Sequence, residues 1–259
     1  MGEVRKTAVQ LLDELGITEP QEIDLEAIAA YCGAYVVYEP LSGAEARIVG
    51  NEDKAFITVN TSSNPTRRRF SIGHELGHWM WDRGKMAFAC TTQMQDGRWF
   101  GSDKESLANR FSADLLLPAV MFRPRAHRRD ATLVTVRELA DEFQTSITAT
   151  AIRLLDHGTW PCMVVVHSAR GLEWQKATRG IDGRLWPCKQ LDQYSFAYDL
   201  MKGAKSGLGQ GTVDADTWIN HPRASNYEVM ESSILLSPGR TLTLLWWKSE
   251  RMIADLIRD

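Results

Sequence analysis

The chain has no apolar run approaching the ~20 residues that a membrane-spanning helix needs. Its opening, MGEVRKTAVQLLDELG, reads as a charged amphipathic helix and not as the apolar centre of a secretory signal. Lys6 stands where a myristoylation signal would carry Ser or Thr. Cysteine is scarce, with four in 259 residues (Cys32, Cys90, Cys162 and Cys188), and none of them forms a C-x-x-C pair. That scatter argues against a cysteine-built metal site or a disulfide framework and for reduced, mostly buried thiols in the cytoplasm. Excess charge is also small: a net charge of −3 gives no bulk electrostatic reason to expect nucleic acid or an anionic membrane as partner. There is no internal repeat and no low-complexity tract. What remains is an ordinary globular composition, with enough material for one large domain or two smaller ones.

Against this plain background stands His74-Glu75-Leu76-Gly77-His78. It fits H-E-x-x-H, a pattern with a mechanical basis. Residues i and i+4 share one face of a helix, so His74 and His78 can point at a single metal ion. Glu75 follows His74 directly and can reach a water held there. A catalytic zinc uses three protein ligands and keeps one position open, and a nearby carboxylate can then take the proton of an activated water. The flanking residues support a helix over 65–82: Asn64 is a good cap, Pro65 a good first helical residue, and Asp82-Arg83-Gly84 a stop. Gly73 and Gly77 each cost about 1 kcal/mol in a helix interior. Two such glycines beside the histidines imply that another backbone or the metal site packs very close.

Helices are expected over 4–15 and 24–32, the second capped by Asp24 and stopped by Gly33. A strand is expected over 34–39, then a hairpin of 46–50 and 55–60. Residues 85–101 show no period. A helix follows from a Ser102 cap to Pro118, then a basic loop over 123–129. Val134–Phe143 and Ile147–Leu155 read as helix, turn, helix. Beyond Gly158 and Pro161 the chain is rich in short strand candidates, among them 162–167 and 241–247. The fold class is therefore α+β, organised as residues 1–130 around the metal motif, a helix-turn-helix-like segment at 131–158, and a strand-rich C-terminal domain at 159–259.

Two histidines need a third protein ligand. The extended metzincin motif would want Gly at 81 and His at 84, where this chain has Trp81 and Gly84. A carboxylate from a later helix remains, and Glu105 sits in the first turn of the next one. Ser102-x-x-Glu105 is equally a capping box, so residue physics leaves Glu105 open between ligand and cap.

HELGH followed by Glu105-x-x-Ala108-Asn109-x-Phe111-Ser112-Ala113-x-Leu115-Leu116-Leu117-Pro118 resembles the ImmA/IrrE family of zinc-dependent peptidases. Ser112 stands where that family usually has Ala, and Asp114 where Glu is frequent. The resemblance implies a zincin-like N-terminal unit, Zn2+ held by His74, His78 and Glu105, and Glu75 as catalytic base. It further implies a cytoplasmic endopeptidase that cuts a helix-turn-helix transcriptional repressor, in stress response or on a mobile element, and a sensor-like role for 159–259. Two other readings stand beside it. A DNA-binding regulator would use 147–155 as recognition helix, but that stretch carries one basic residue and no Asn or Gln for base edges, which makes direct DNA binding a poor fit. A regulatory protein could also keep zinc for structure without peptidase activity, yet a closed structural site wants a fourth protein ligand, and none is evident. In the C-terminal domain, Trp174, Trp186, Trp218, Trp246 and Trp247 read as core aromatics, or as the lining of a regulatory pocket.

Overall fold

The computed structural model describes residues 6–51, 53–83, 90–91, 103–204, 206–249 and 253–255. The chain divides into two compact units, residues 1–122 with 141–146, and residues 123–140 with 147–259.

In the first unit, Thr7 opens α1 (Ala8–Glu14) with a reciprocal capping box: its hydroxyl accepts from the Gln10 N–H, and the Gln10 side chain accepts from the Thr7 N–H. Asp24 caps α2 (Leu25–Tyr31) by accepting from the Ala27 N–H. Gly33 then turns the chain out at φ +78°, where a side chain would be strained. Strand β1 (Ala34–Glu39) runs parallel beside β3 (Ala55–Asn60), and β2 (Ala46–Gly50) pairs antiparallel with β3 as a hairpin. The irregular chain expected over 85–101 is corrected at one point. Cys90–Thr91 forms a short strand, β4, against β2, giving the order β1-β3-β2-β4 among the described residues. Two residues carry no period; the free edge of β2 makes them a strand.

Alternate residues of this sheet, Ala34, Ala46, Ile48, Ala55, Ile57 and Val59, are fully buried. Over them lies α3 (Pro65–Asp82), which buries Ile72, Leu76 and Trp79. The helix begins as its sequence dictates, with Asn64 accepting from the Arg67 N–H and Pro65 in the first position. The Trp79 indole donates to the Cys32 carbonyl at 2.8 Å, and its ring fits because Gly50 has no side chain: a Cβ there would stand 2.8 Å from it.

Helix α4 (Asp103–Leu116) packs along α3; its expected cap, Ser102, lies outside the described residues. The basic loop expected over 123–129 needs correction as well, because α5 (Ala119–Ala126) continues to Ala126 with Pro124 inside it. Proline removes one helical hydrogen bond. Here burial of Met121, Phe122 and Ala126 outweighs that loss. Phe122 also packs on Phe143, with ring centroids 5.6 Å apart.

Helices α6 (Leu133–Phe143) and α7 (Ile147–His157) follow, joined through Gln144 at φ +52°. Their apolar stripes are buried: Val136, Leu139, Ala140 and Phe143 on one, Ala151, Leu154 and Leu155 on the other. The second unit is built on a sheet of order β6-β5-β9-β8-β7, antiparallel throughout, from β5 (Cys162–Ser168), β6 (Gly171–Ala177), β7 (Leu208–Asp214), β8 (Glu228–Ser237) and β9 (Arg240–Trp246). Short helix α8 (Phe196–Met201) lies on it, and Gly209 and Gly211 leave room for the Phe196 side chain. Met163, Val165, Trp218, Leu245 and Trp247 form the core of this unit, so Trp218 and Trp247 are core aromatics, while Trp186 is half exposed. Within the same core Glu231 is buried, its Oε1 accepting from the Ala197 N–H at 2.8 Å and the Ser233 hydroxyl at 2.7 Å, and its Oε2 from the Trp218 indole at 2.8 Å.

The fold is thus α+β, with a small-sheet, zincin-like N-terminal unit and a strand-rich C-terminal part. Among the described residues no helix is long and apolar enough to cross a membrane.

Candidate metal centre

The site is made by two helices lying against one another with almost nothing between them. On α3, Gly73 and Gly77 face Ser112 and Ala108 of α4. A Cβ at Gly77 would come 3.0 Å from the Ala108 Cα and 3.1 Å from its carbonyl oxygen. At Gly73 it would stand 2.6 Å from the Ser112 Oγ. The close approach inferred from the two glycines is therefore an α3–α4 contact. Ser112, the departure from the family's usual Ala, donates its hydroxyl to the Phe70 carbonyl at 2.8 Å, which ties the helices one turn above the histidines. Asp114, the other departure, pairs with Arg110 at 3.7 Å on the surface.

One residue further along α3, and one turn before Ala108 on α4, the functional groups converge. His74 and His78 share a face of α3, with ring centroids 4.7 Å apart and planes nearly perpendicular. Their Nε2 atoms are 3.1 Å apart. From α4, Glu105 presents Oε2 at 3.3 Å from His74 Nε2 and Oε1 at 3.2 Å from His78 Nε2. Glu105 thus faces both histidines, and the three side chains form a group that could hold a metal ion. His74 and Glu75 are fully buried and His78 nearly so, while the Glu105 side chain is one-third exposed.

The donor set suits zinc in chemistry and in size. Ligands about 2.0–2.1 Å from a zinc at tetrahedral angles lie about 3.3 Å from one another, close to the separations of 3.1, 3.2 and 3.3 Å seen here. His74 Nδ1 is 2.8 Å from the Asn109 Oδ1. An amide oxygen only accepts, so Nδ1 carries the proton and Nε2 keeps its lone pair. That lone pair faces a carboxylate oxygen, an arrangement of two acceptors that a cation between them would stabilise. Burial first, and the neighbouring His78 second, hold the His74 pKa below the ordinary histidine value, which favours the neutral, ligating imidazole.

Sequence reasoning singled out His74, Glu75, His78 and Glu105, and passed over Asn109 as anything but a motif letter. The signal was present: Asn109 follows Glu105 by four residues and so shares its face of α4.

Comparison with known proteins accords with this geometry. Residues 29–155 match the Peptidase_M78 family, described as the IrrE N-terminal-like domain. Among solved structures, a Mycobacterium tuberculosis protein described as a transcriptional regulator superposes with a TM-score of 0.59. It is 14% identical, and the match covers 95% of this chain and 76% of that one. At that identity the likeness is one of fold. No curated protein sequence matches the chain.

Proposed function

Because residues 29–155 belong to the ImmA/IrrE family of metallopeptidase-like regulators, we propose that this chain is a cytoplasmic zinc-dependent endopeptidase that cleaves a helix-turn-helix repressor and so relieves repression. The observation that carries the reading is the convergence of His74, His78 and Glu105 from two helices, with Glu75, the residue after His74, fully buried. His74, His78 and Glu105 would hold the zinc. When bound there, zinc supplies a Lewis acid that polarises a peptide carbonyl and lowers the pKa of water toward ~7.

The protein's own residues do the rest. Glu75 takes a proton from the attacking water and returns it to the departing amine, acting as base and then as acid. Glu105, on the partly open side, completes the ligand set with an anionic oxygen.

The test is incubation with a helix-turn-helix repressor encoded beside this chain, with zinc or with chelator, and mapping of products by mass spectrometry. Cleavage at one site, abolished by chelator, is expected. Glu75→Gln should slow cleavage about 10²- to 10⁴-fold, the usual worth of a general base, with zinc still bound. Full activity in that variant would sink the mechanism.

A second reading is a regulator that holds zinc without turnover; a Mycobacterium tuberculosis protein of similar fold is described as a transcriptional regulator. It expects the same zinc stoichiometry, tight binding of the repressor, and no product in any condition.

A further inference from the structure

We propose that Asn109 positions His74 for the metal, by fixing which ring nitrogen carries the proton and where the ring points. The inference rests on the metal reading above and concerns a residue that the motif alone does not explain.

The two nitrogens of an imidazole are distinct, and the hydrogen bond made by one decides what the other can do. An unconstrained ring exchanges between two neutral tautomers and turns about its Cβ–Cγ bond. At His74 both freedoms are removed by one contact, Nδ1–H to the Asn109 Oδ1 at 2.8 Å. The remaining nitrogen is the one that lies 3.1 Å from His78 Nε2 and 3.3 Å from Glu105 Oε2. The opposite tautomer would put a proton where the metal belongs.

Placement makes the assignment economical. Glu105 and Asn109 are four residues apart on α4 and occupy one face of it. A single helix therefore delivers both the third ligand and the group that orients the first. The Gly73–Ser112 and Gly77–Ala108 contacts hold α4 in the register at which both reach His74. Asn performs this duty without adding charge. An Asp at 109 would accept the same proton and make the ring a stronger ligand, whereas a Leu of similar size would accept nothing. Loss of such an orienting partner typically weakens metal affinity 10- to 100-fold.

The test measures zinc affinity of the full chain by competition with a chromogenic chelator, for wild type, Asn109→Leu and Asn109→Asp. In the metal-free proteins, ¹⁵N imidazole shifts read the His74 tautomer and thermal melts read the fold. The expected result is a 10- to 100-fold loss for Leu with the Nδ1–H tautomer no longer dominant. Asp should bind zinc at least as tightly as wild type, with Nδ1–H retained. A Leu variant within twofold of wild type overturns the proposal, and so does an Asp variant as weak as Leu, because a merely space-filling role would penalise both alike. If the metal-free Leu variant does not melt cooperatively, the Asp variant decides: affinity at or above wild type supports the proposal, and a tenfold loss overturns it. None of these readouts requires turnover, so failure of the peptidase reading leaves them standing. Wild type binding zinc no better than His74→Ala would remove the metal reading itself.

Discussion

Each unit of the molecule sets a carboxylate in a polar cluster, Glu231 buried and Glu105 one-third exposed, and the two are handled in opposite ways. Glu231, in the C-terminal sheet, is surrounded by donors: a backbone N–H, a hydroxyl and an indole N–H close on its two oxygens. Glu105 instead meets two imidazole Nε2 atoms, and the ring of one of them, His74, carries its proton on Nδ1, where it donates to Asn109. A carboxylate ringed by donors is complete and serves the fold. A carboxylate facing a nitrogen lone pair, as Glu105 faces His74 Nε2, would be stabilised by a cation between them. The contrast lies in the partners alone, since both sites are polar and built on regular secondary structure.

The largest effect expected of that contrast is metal-dependent stability confined to one unit. Zinc at about 1,000 times its dissociation constant stabilises a protein that binds it only when folded by about 4 kcal/mol. Wild type should show that gain in chemical denaturation, and His78→Ala should show none while folding normally without metal. A gain that survives His78→Ala would break the comparison.

Next comes the donor-ringed site. Glu231→Ala removes the buried acceptor of the Ala197 N–H and the Trp218 indole and should cost about 3 kcal/mol, at the upper end for buried unsatisfied groups, with zinc affinity unchanged. Burial raises the Glu231 pKa, a trend its hydrogen bonds oppose. A raised folded pKa means stability that is fully present below the unfolded value of about 4.5 and is lost as pH rises through the folded value. Glu231→Gln lacks that slope. The stability gap between wild type and Glu231→Gln should therefore narrow between pH 4 and pH 8 in urea melts. A widening gap would mean that the donors, and not burial, dominate.

The smallest effect sharpens the metal side. Gly73→Ala forces a Cβ to within 2.6 Å of the Ser112 Oγ, so it should weaken zinc binding severalfold. Adding Ser112→Ala removes that oxygen and should restore part of the loss, with a coupling energy of about 1 kcal/mol in a double-mutant cycle. Strict additivity would show that the two helices adjust independently.

Much of the metal unit was legible in the sequence because its signals are local. Asn64 and Pro65 fix the start of α3, Asp24 that of α2, and the spacing from Gly33 to Asn60 marks three strands. Glu105 was the intermediate case, since a capping box and a ligand look alike until the facing helix is known. What escaped depends on partners far along the chain. Strand β4 exists because β2 has a free edge, and α5 runs past Pro124 because its buried residues outweigh one lost bond. The Glu231 network joins residues from α8, β8 and the Trp218 turn. Asn109 escaped for another reason: a positioning amide has no signature of its own until the ring it holds is in place.

The glycines of α3 carry one consequence beyond packing. Ligands to zinc stand about 2.0–2.1 Å from the ion, whereas the oxygen ligands of calcium stand at 2.3–2.6 Å. A few tenths of an ångström is also what one methyl group at Gly77 would demand of Ala108. The clearance at the two glycines is therefore on the scale that separates the two ions. Metal preference is expected to drift on substitution at 73 and 77 well before the fold gives way, because those residues set the α3–α4 spacing without touching the ligand group.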